Sequence, residues 1–319
     1  IRRPPRSTPS NSSAASDVYK RQVLDIIKKY QELSPDYYDI YGKLKYWLSE
    51  NTNLSLSYFR IGDRFLWDKD EPEDNFDTRY SNDYIWANWQ YIPDKNFFNQ
   101  TVFSYVRGNH QRYIGFDPER ERVIDFQDFD VFGIRNDATV AISDKNILKI
   151  GMDFKNYTTR YDYFETNERD LPGIGYYLDT THVVTSSDGY KFASYIQNKF
   201  FITSRTALHI GARYDYQEYI RKSQFSPRIG ISYNFSENMT IRTAFGYYYQ
   251  SQDMADLEVS KGIAEFNEPE YAKHYITGWE YQPSTFTSIR AELYYKYFGK
   301  LIDRVYDRKK RRYLYPDKG

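Results

Sequence analysis

The chain has 319 residues, with 44 Lys and Arg against 44 Asp and Glu, no cysteine, and 19% aromatic residues, 35 of them tyrosine. Zero net charge speaks against a nucleic-acid binder, which carries a basic surplus, and the lack of cysteine excludes disulfide frameworks and thiolate metal sites. Mean hydropathy is −0.81 and no apolar run is long enough for a membrane-spanning helix, a test that a spanning β-barrel escapes because only alternate residues of each strand meet lipid.

Residues 1–22 are basic, rich in Ser and Pro, and lack the apolar core of a signal peptide. Their wording resembles translated sequencing-adapter text. The segment is expected to be a non-native artefact without packed structure, so the fold is read from residues 23–319. Val23, Leu24, Ile26, Ile27, Tyr30 and Leu33 recur at helical spacing and predict a short amphipathic helix that ends at Ser34-Pro35.

From Tyr37 onward the period is two. The clearest case runs from Thr206 to Tyr219. Leu208, Ile210, Ala212, Tyr214 and Tyr216 fall on one face, and His209, Gly211, Arg213, Asp215 and Gln217 on the other. The same alternation sets Ile229, Ile231, Tyr233 and Phe235 against Arg228, Gly230, Ser232 and Asn234. It recurs around Arg242, around Arg290 and Glu292, and in Leu148–Lys155. A charged face opposite an aliphatic and aromatic face, kept up for about ten residues, is the length a tilted strand needs to cross a bilayer.

Short polar turns at 49–53, 93–96, 143–146, 203–205, 236–238 and 283–284 carry Asn, Asp, Ser and Pro, residues that favour turns through their side-chain hydrogen bonds and preset backbone. Longer links are expected at 67–80, 108–126, 160–190 and 250–273, with one tight link near Arg221 to Gln224. Six short turns imply about twelve strands, near 37–49, 53–66, 81–92, 97–108, 126–142, 147–162, 190–202, 206–219, 225–235, 239–250, 273–282 and 285–304. Short turns at one end and long loops at the other describe an all-β, antiparallel transmembrane barrel. A soluble β-propeller has a similar repeat length but shorter strands, four to a blade.

Residues 225–250, FSPRIGISYNFSENMTIRTAFGYYYQ, and residues 266–305, with YITGWEYQ and SIRAELYYKYFGKLIDRV, resemble the barrel of TonB-dependent outer-membrane receptors. The proline-containing motif that usually precedes the YITGWEYQ strand is degraded here to FNEPEYAKHY. The resemblance implies a barrel of about 22 strands around an N-terminal plug. Only part of that barrel is expected here, with the plug absent. It also implies the bacterial outer membrane as location. The expected partners are outer-membrane lipid and lipopolysaccharide, a small nutrient ligand such as a siderophore, cobalamin or saccharide, and the inner-membrane TonB energy-coupling complex. A partial wall has two unpaired edges, which hydrocarbon does not tolerate, so the segment is expected to be an open curved sheet, or a forced closure of strands that are not neighbours in the full receptor, and to transport nothing by itself; the competing expectation is a complete 12-stranded barrel.

Candidate lumen-facing residues are Arg213, Asp215, Arg228, Arg242, Arg290 and Glu292, with Leu208, Ile229, Ile231, Ile241 and Leu293 toward lipid. Tyr113, Phe116, Tyr163, Phe164, Tyr176, Tyr177 and Phe266 are aromatic loop residues able to stack on a ligand. The acidic run Asp68, Asp70, Glu71, Glu73, Asp74 and Asp77 lacks the spacing of a calcium loop and reads as a solvated loop. No metal or cofactor is expected, because His110, His182, His209 and His274 are not paired at ligand spacing and no phosphate-binding glycine loop occurs. No nucleophile with a local base stands out, so catalysis is not expected. Two functions remain open from the residues: an energy-coupled receptor or a passive porin-like barrel, with a soluble binding module as a third.

Overall fold

The computed structural model describes residues 33–67, 75–115, 122–171, 175–252, 266–300, 305–307 and 312–314. The expectations for residues 1–22, the helix at 23–32, Phe116 and Asp68–Asp74 lie outside these. Twelve strands form one antiparallel sheet in sequence order, β1 to β12, each paired with its chain neighbours. They are Leu33–Ser49, Thr52–Trp67, Phe76–Asp94, Phe97–Ile114, Arg122–Ser143, Asn146–Leu171, Gly175–Phe201, Thr206–Gln217, Lys222–Ser236, Met239–Gln250, Glu270–Ser284 and Thr287–Gly299. Among the described residues β1 and β12 do not pair, so the sheet is an open meander.

The six short turns share one device. A side-chain oxygen accepts the backbone N–H two residues on, from Ser49 to Asn51, Asp94 to Asn96, Ser143 to Lys145, Thr203 to Arg205, Ser236 to Asn238 and Ser284 to Phe286. Ser, Thr and Asp thereby replace one backbone turn bond with their own. The tight link at the opposite end is a single 3-10 turn, Glu218–Ile220, closed by Arg221 at φ 52°.

Several expectations are corrected, among them the links at 67–80 and 108–126, which shorten because β3 begins at Phe76, β4 runs to Ile114 and β5 begins at Arg122. Residues 160–190 are not a loop: β6 and β7 stay in register from Asn146↔Phe200 to Leu171↔Gly175. Nothing between Arg160 and Leu171 is a Pro or Gly, the residues that weaken a strand interior, and the pairing runs the length of that stretch. Leu33–Pro35 begin β1 and pair with Phe65–Trp67 rather than ending a helix. The twelfth strand stops at Gly299 instead of 304, because Lys300 turns to φ 53°. Beyond it, β13 (Val305–Asp307) and β14 (Arg312–Leu314) pair as a separate small hairpin.

Register turns the alternation of single strands into two continuous faces. Ile231 stands opposite Leu208 and Thr243, and Ile229 opposite Ile210 and Phe245. Tyr275 follows opposite Phe245 and Tyr295 opposite Tyr275. This apolar face has little internal cover: Leu293 is 77% exposed and Met152 55%. A soluble protein rarely leaves so long an apolar surface bare. In β2–β5 it ends at a row of alternating charge, Arg60, Asp83, Arg107 and Asp130, directly across from one another. Tyr58 and Tyr105, one step nearer the short turns, donate their hydroxyls to Asp83 and Asp130 at 2.6 and 2.5 Å.

Candidate functional site

The opposite, polar face changes character along its length. Register places all six charged candidates on it. Arg213 is opposite Ser226, Asp215 opposite Gln224, and Arg228 between Gly211 and Gly246. Arg242 is opposite Gly278, Glu292 opposite Gly278 from the other side, and Arg290 opposite Glu280. Leu208, Ile229, Ile231, Ile241 and Leu293 fall on the apolar face. Ion pairs knit the charges locally: Arg213–Asp215 at 2.7 Å, Arg242–Glu280 at 2.5 Å and Arg290–Glu292 at 2.5 Å. Both partners of each pair are on the polar face, where i and i+2 of one strand meet, or diagonal neighbours across two strands as for Arg242 and Glu280.

Toward the long-loop end the polar face becomes aromatic. Tyr157, Tyr161 and Tyr163 of β6 are 4%, 3% and 3% exposed. Phe266, in the segment that enters β11, packs on Tyr161 and Tyr163 together with Val123 and Val183. Four strands separate β6 from β11 in the sheet, so Phe266 reaches across the concave face. A set of contacts holds it there. Its ring meets Tyr219 edge-on at 4.8 Å, and the Tyr219 hydroxyl donates to the Gln252 carbonyl at 2.9 Å. Asn267 donates its backbone N–H and its side-chain amide to Gln252 Oε1 at 3.2 and 3.3 Å. Glu268 bridges Lys222 at 2.6 Å and Lys300 at 2.8 Å. Beside the cluster, the Lys191 ammonium lies 5.1 Å from the Tyr157 ring and 5.4 Å from Tyr219.

The electrostatics follow the packing. Hydrogen bonds from Lys222 and Lys300 hold the Glu268 carboxyl at about 2. Burial raises the Tyr163 hydroxyl well above its usual range, and the neighbouring Glu165 adds to this, so the ring presents a neutral hydroxyl. Asp77 belongs to β3, not to a solvated loop. Burial pushes its carboxyl up, but hydrogen bonds from Arg64 and Arg79 outweigh this and hold it at about 2.

Of the seven aromatic candidates, Tyr163 and Phe266 come together. Tyr113, Tyr163, Phe164, Tyr176 and Tyr177 stand in strands rather than loops. Tyr113 and Phe164 occupy the face opposite Tyr163, Tyr113 packing edge-on against Phe126 at 5.5 Å and Phe164 under the Arg122 guanidinium at 4.8 Å. Tyr176 and Tyr177 sit at the start of β7, opposite Asp170 and Arg169, with Tyr176 74% exposed. Sequence reading missed Tyr157, Tyr161, Lys191 and Tyr219; the spacing of Tyr157, Tyr161 and Tyr163 at even intervals was the available signal. Among the described residues no group of His, Asp and Glu is arranged to hold a metal.

A long-stranded meander with one bare apolar face, capped short turns at one end and a charged row closing the apolar band is the wall of an outer-membrane β-barrel. A family model described as "TonB dependent receptor-like, beta-barrel" matches residues 5–315, and the chain belongs to that family, whose members reside in the bacterial outer membrane. The matched span takes in residues 5–22. None of the curated proteins matches the sequence. Among solved structures, the chain is similar to the ferric citrate transporter FecA in its unliganded form, with 15% identity, a TM-score of 0.62, and coverage of 84% of this chain and 44% of that one. It is similar to the ferric yersiniabactin uptake receptor FyuA of Yersinia pestis, with 14% identity, a TM-score of 0.63, and coverage of 83% and 45%. For the siderophore receptor PirA of Acinetobacter baumannii the values are 13%, 0.62, 86% and 45%. The chain therefore spans less than half the length of each of these three, and the likeness is one of fold.

Proposed function

We propose that residues 23–319 are part of the barrel wall of an energy-coupled receptor that takes up a scarce nutrient, such as a siderophore, cobalamin or saccharide. In this reading the apolar face meets lipid and lipopolysaccharide, and Arg213, Asp215, Arg228, Arg242, Arg290 and Glu292 line the lumen. The membrane's outer edge lies at the Arg60–Asp83–Arg107–Asp130 row. From Thr52 to that row is roughly 20 Å after tilting, close to the apolar band of about 25 Å in such barrels. The packed cluster of Tyr157, Tyr161, Tyr163, Tyr219 and Phe266 shapes the mouth through which the ligand enters, with Lys191 beside it. Phe266 reaching across the concave face is the observation that carries this, since it brings aromatic side chains of distant strands to one point at the long-loop end. Energy coupling requires a plug and the inner-membrane TonB complex as partner, both supplied from outside the described wall.

The test is uptake by cells carrying the complete receptor under nutrient limitation. The expected result is growth that depends on both the receptor and the coupling complex, and that falls with Tyr161→Ala and Phe266→Ala. Uptake that persists without the coupling complex would identify a passive pore instead.

A further inference from the structure

The β6–β7 hairpin outruns its neighbours. β7 pairs with β8 only from Lys191 to Phe201, whereas its pairing with β6 runs on to Gly175. Thr158 and Asp188 lie in register with Asp130 of the charged row, so the rest of the hairpin stands beyond the apolar band. Along Tyr176–Ser186 one edge of β7 has no partner strand among the described residues. The Phe201 N–H donates to the Lys145 carbonyl on the β6 side, and the ladder has no bulge up to Gly175. By alternation the odd-numbered residues of β7 bond to β6. Tyr176, Leu178, Thr180, His182, Val184 and Ser186 then turn their N–H and C=O groups to the open edge. Val184 is 67% exposed, so side chains do not cover this edge. It also lacks the features that usually blunt an edge. No Pro, Lys or Arg falls between Tyr176 and Ser186, and Thr180, Thr181, Val183, Val184 and Thr185 favour strands.

We propose that this edge takes up an extended, basic peptide segment of a partner protein as a further strand. Main-chain bonds supply the contact whatever the partner's sequence, and side chains select the partner. From Arg160 to Tyr190 the hairpin has six Asp and Glu against two Arg, a net charge of −4. A strand carrying Lys or Arg is drawn to it, whereas a second copy of the same acidic edge is opposed. On the face that continues the apolar band, Leu178 and Val184 offer apolar contact, and Asp162 and Asp188 offer carboxylates. The proposal rests on the barrel reading only in that the hairpin projects from the membrane. It is read by binding without any uptake step, so either can fail alone.

The complete receptor, in zwitterionic detergent and certified folded by heat-modifiable migration, is titrated at low salt with a short fluorescent peptide of alternating Lys and Val. Saturable binding is expected. The same peptide N-methylated throughout keeps its charge but has no main-chain donors, and should bind about tenfold or more weakly. A peptide with Glu in place of Lys should not bind. Val184→Pro removes an N–H from the open edge and none from the β6 ladder, which an edge strand tolerates, and should weaken binding to a similar extent. Where that variant loses its fold, the N-methylated peptide on the parent receptor carries the test. Absence of saturable binding, equal affinity for the N-methylated peptide, or undiminished binding by folded Val184→Pro would each overturn the proposal. Receptor dimers that Val184→Pro abolishes would assign the edge to a second copy and overturn it as well.

Discussion

The two ends of the polar face solve opposite problems with the same alternation. At the long-loop end, Tyr157, Tyr161 and Tyr163 are almost fully covered because a segment from across the sheet brings Phe266 onto them. At the short-turn end, Gly211, Gly230 and Ala244 leave a recess that Lys and Arg surround. One end is filled by rings and the other is left open and charged. A period of two specifies only which face a residue joins. Side-chain volume at each step then decides whether that face becomes a packed mouth or a hollow.

The largest expected effect concerns the faces themselves. Ile231 and Ser232 are adjacent but lie on opposite faces. Ile231→Arg should cost about 2–4 kcal/mol if it meets mid-bilayer lipid, and Ser232→Arg far less. Denaturant unfolding in lipid vesicles measures both, and equal losses would mean the faces are wrongly assigned.

A smaller effect is expected at the mouth. Phe266→Ala removes the edge-on pair with Tyr219, a contact of about 0.5–1.5 kcal/mol. Amide exchange should quicken at Tyr161, Tyr163 and 266–269 and stay unchanged around Arg228. Quickening at both ends would show that the two regions are not independent.

The smallest effect is expected at Glu268. Its folded value, about 2, lies below the usual 4.5, so its contribution is present above about 4.5 and is lost as pH falls toward 2. Protection at 266–269 should hold at neutral pH and decline across that window. In Glu268→Gln it should be weaker at neutral pH and flat across the same window. An identical pH profile in both proteins would remove Glu268 from the account.

Much of the wall was legible because alternation and turn chemistry are local. Ser49, Asp94, Ser143, Thr203, Ser236 and Ser284 each mark a turn by a bond to a residue two positions on, and each stands where polar text interrupts the alternation. The upper strands were less legible. Tyr157–Leu171 still alternates, but the tyrosines and charges there resemble loop composition, and only cross-strand pairing shows that the ladder continues. The site was least legible. Tyr163 and Phe266 are far apart in sequence, and neither carries a sign that β6 and the segment before β11 meet. Tyr113 and Phe164 looked equivalent to Tyr163 until register placed them on the other face.

The central claim is that one face of this wall meets lipid and the other water. The chain has no cysteine, so single cysteines at 229, 230, 231, 232 and 233 can be read one at a time in membranes with a charged, water-soluble thiol reagent. The account predicts labelling at 230 and 232 and protection at 229, 231 and 233. Uniform labelling, or the reverse alternation, would contradict it.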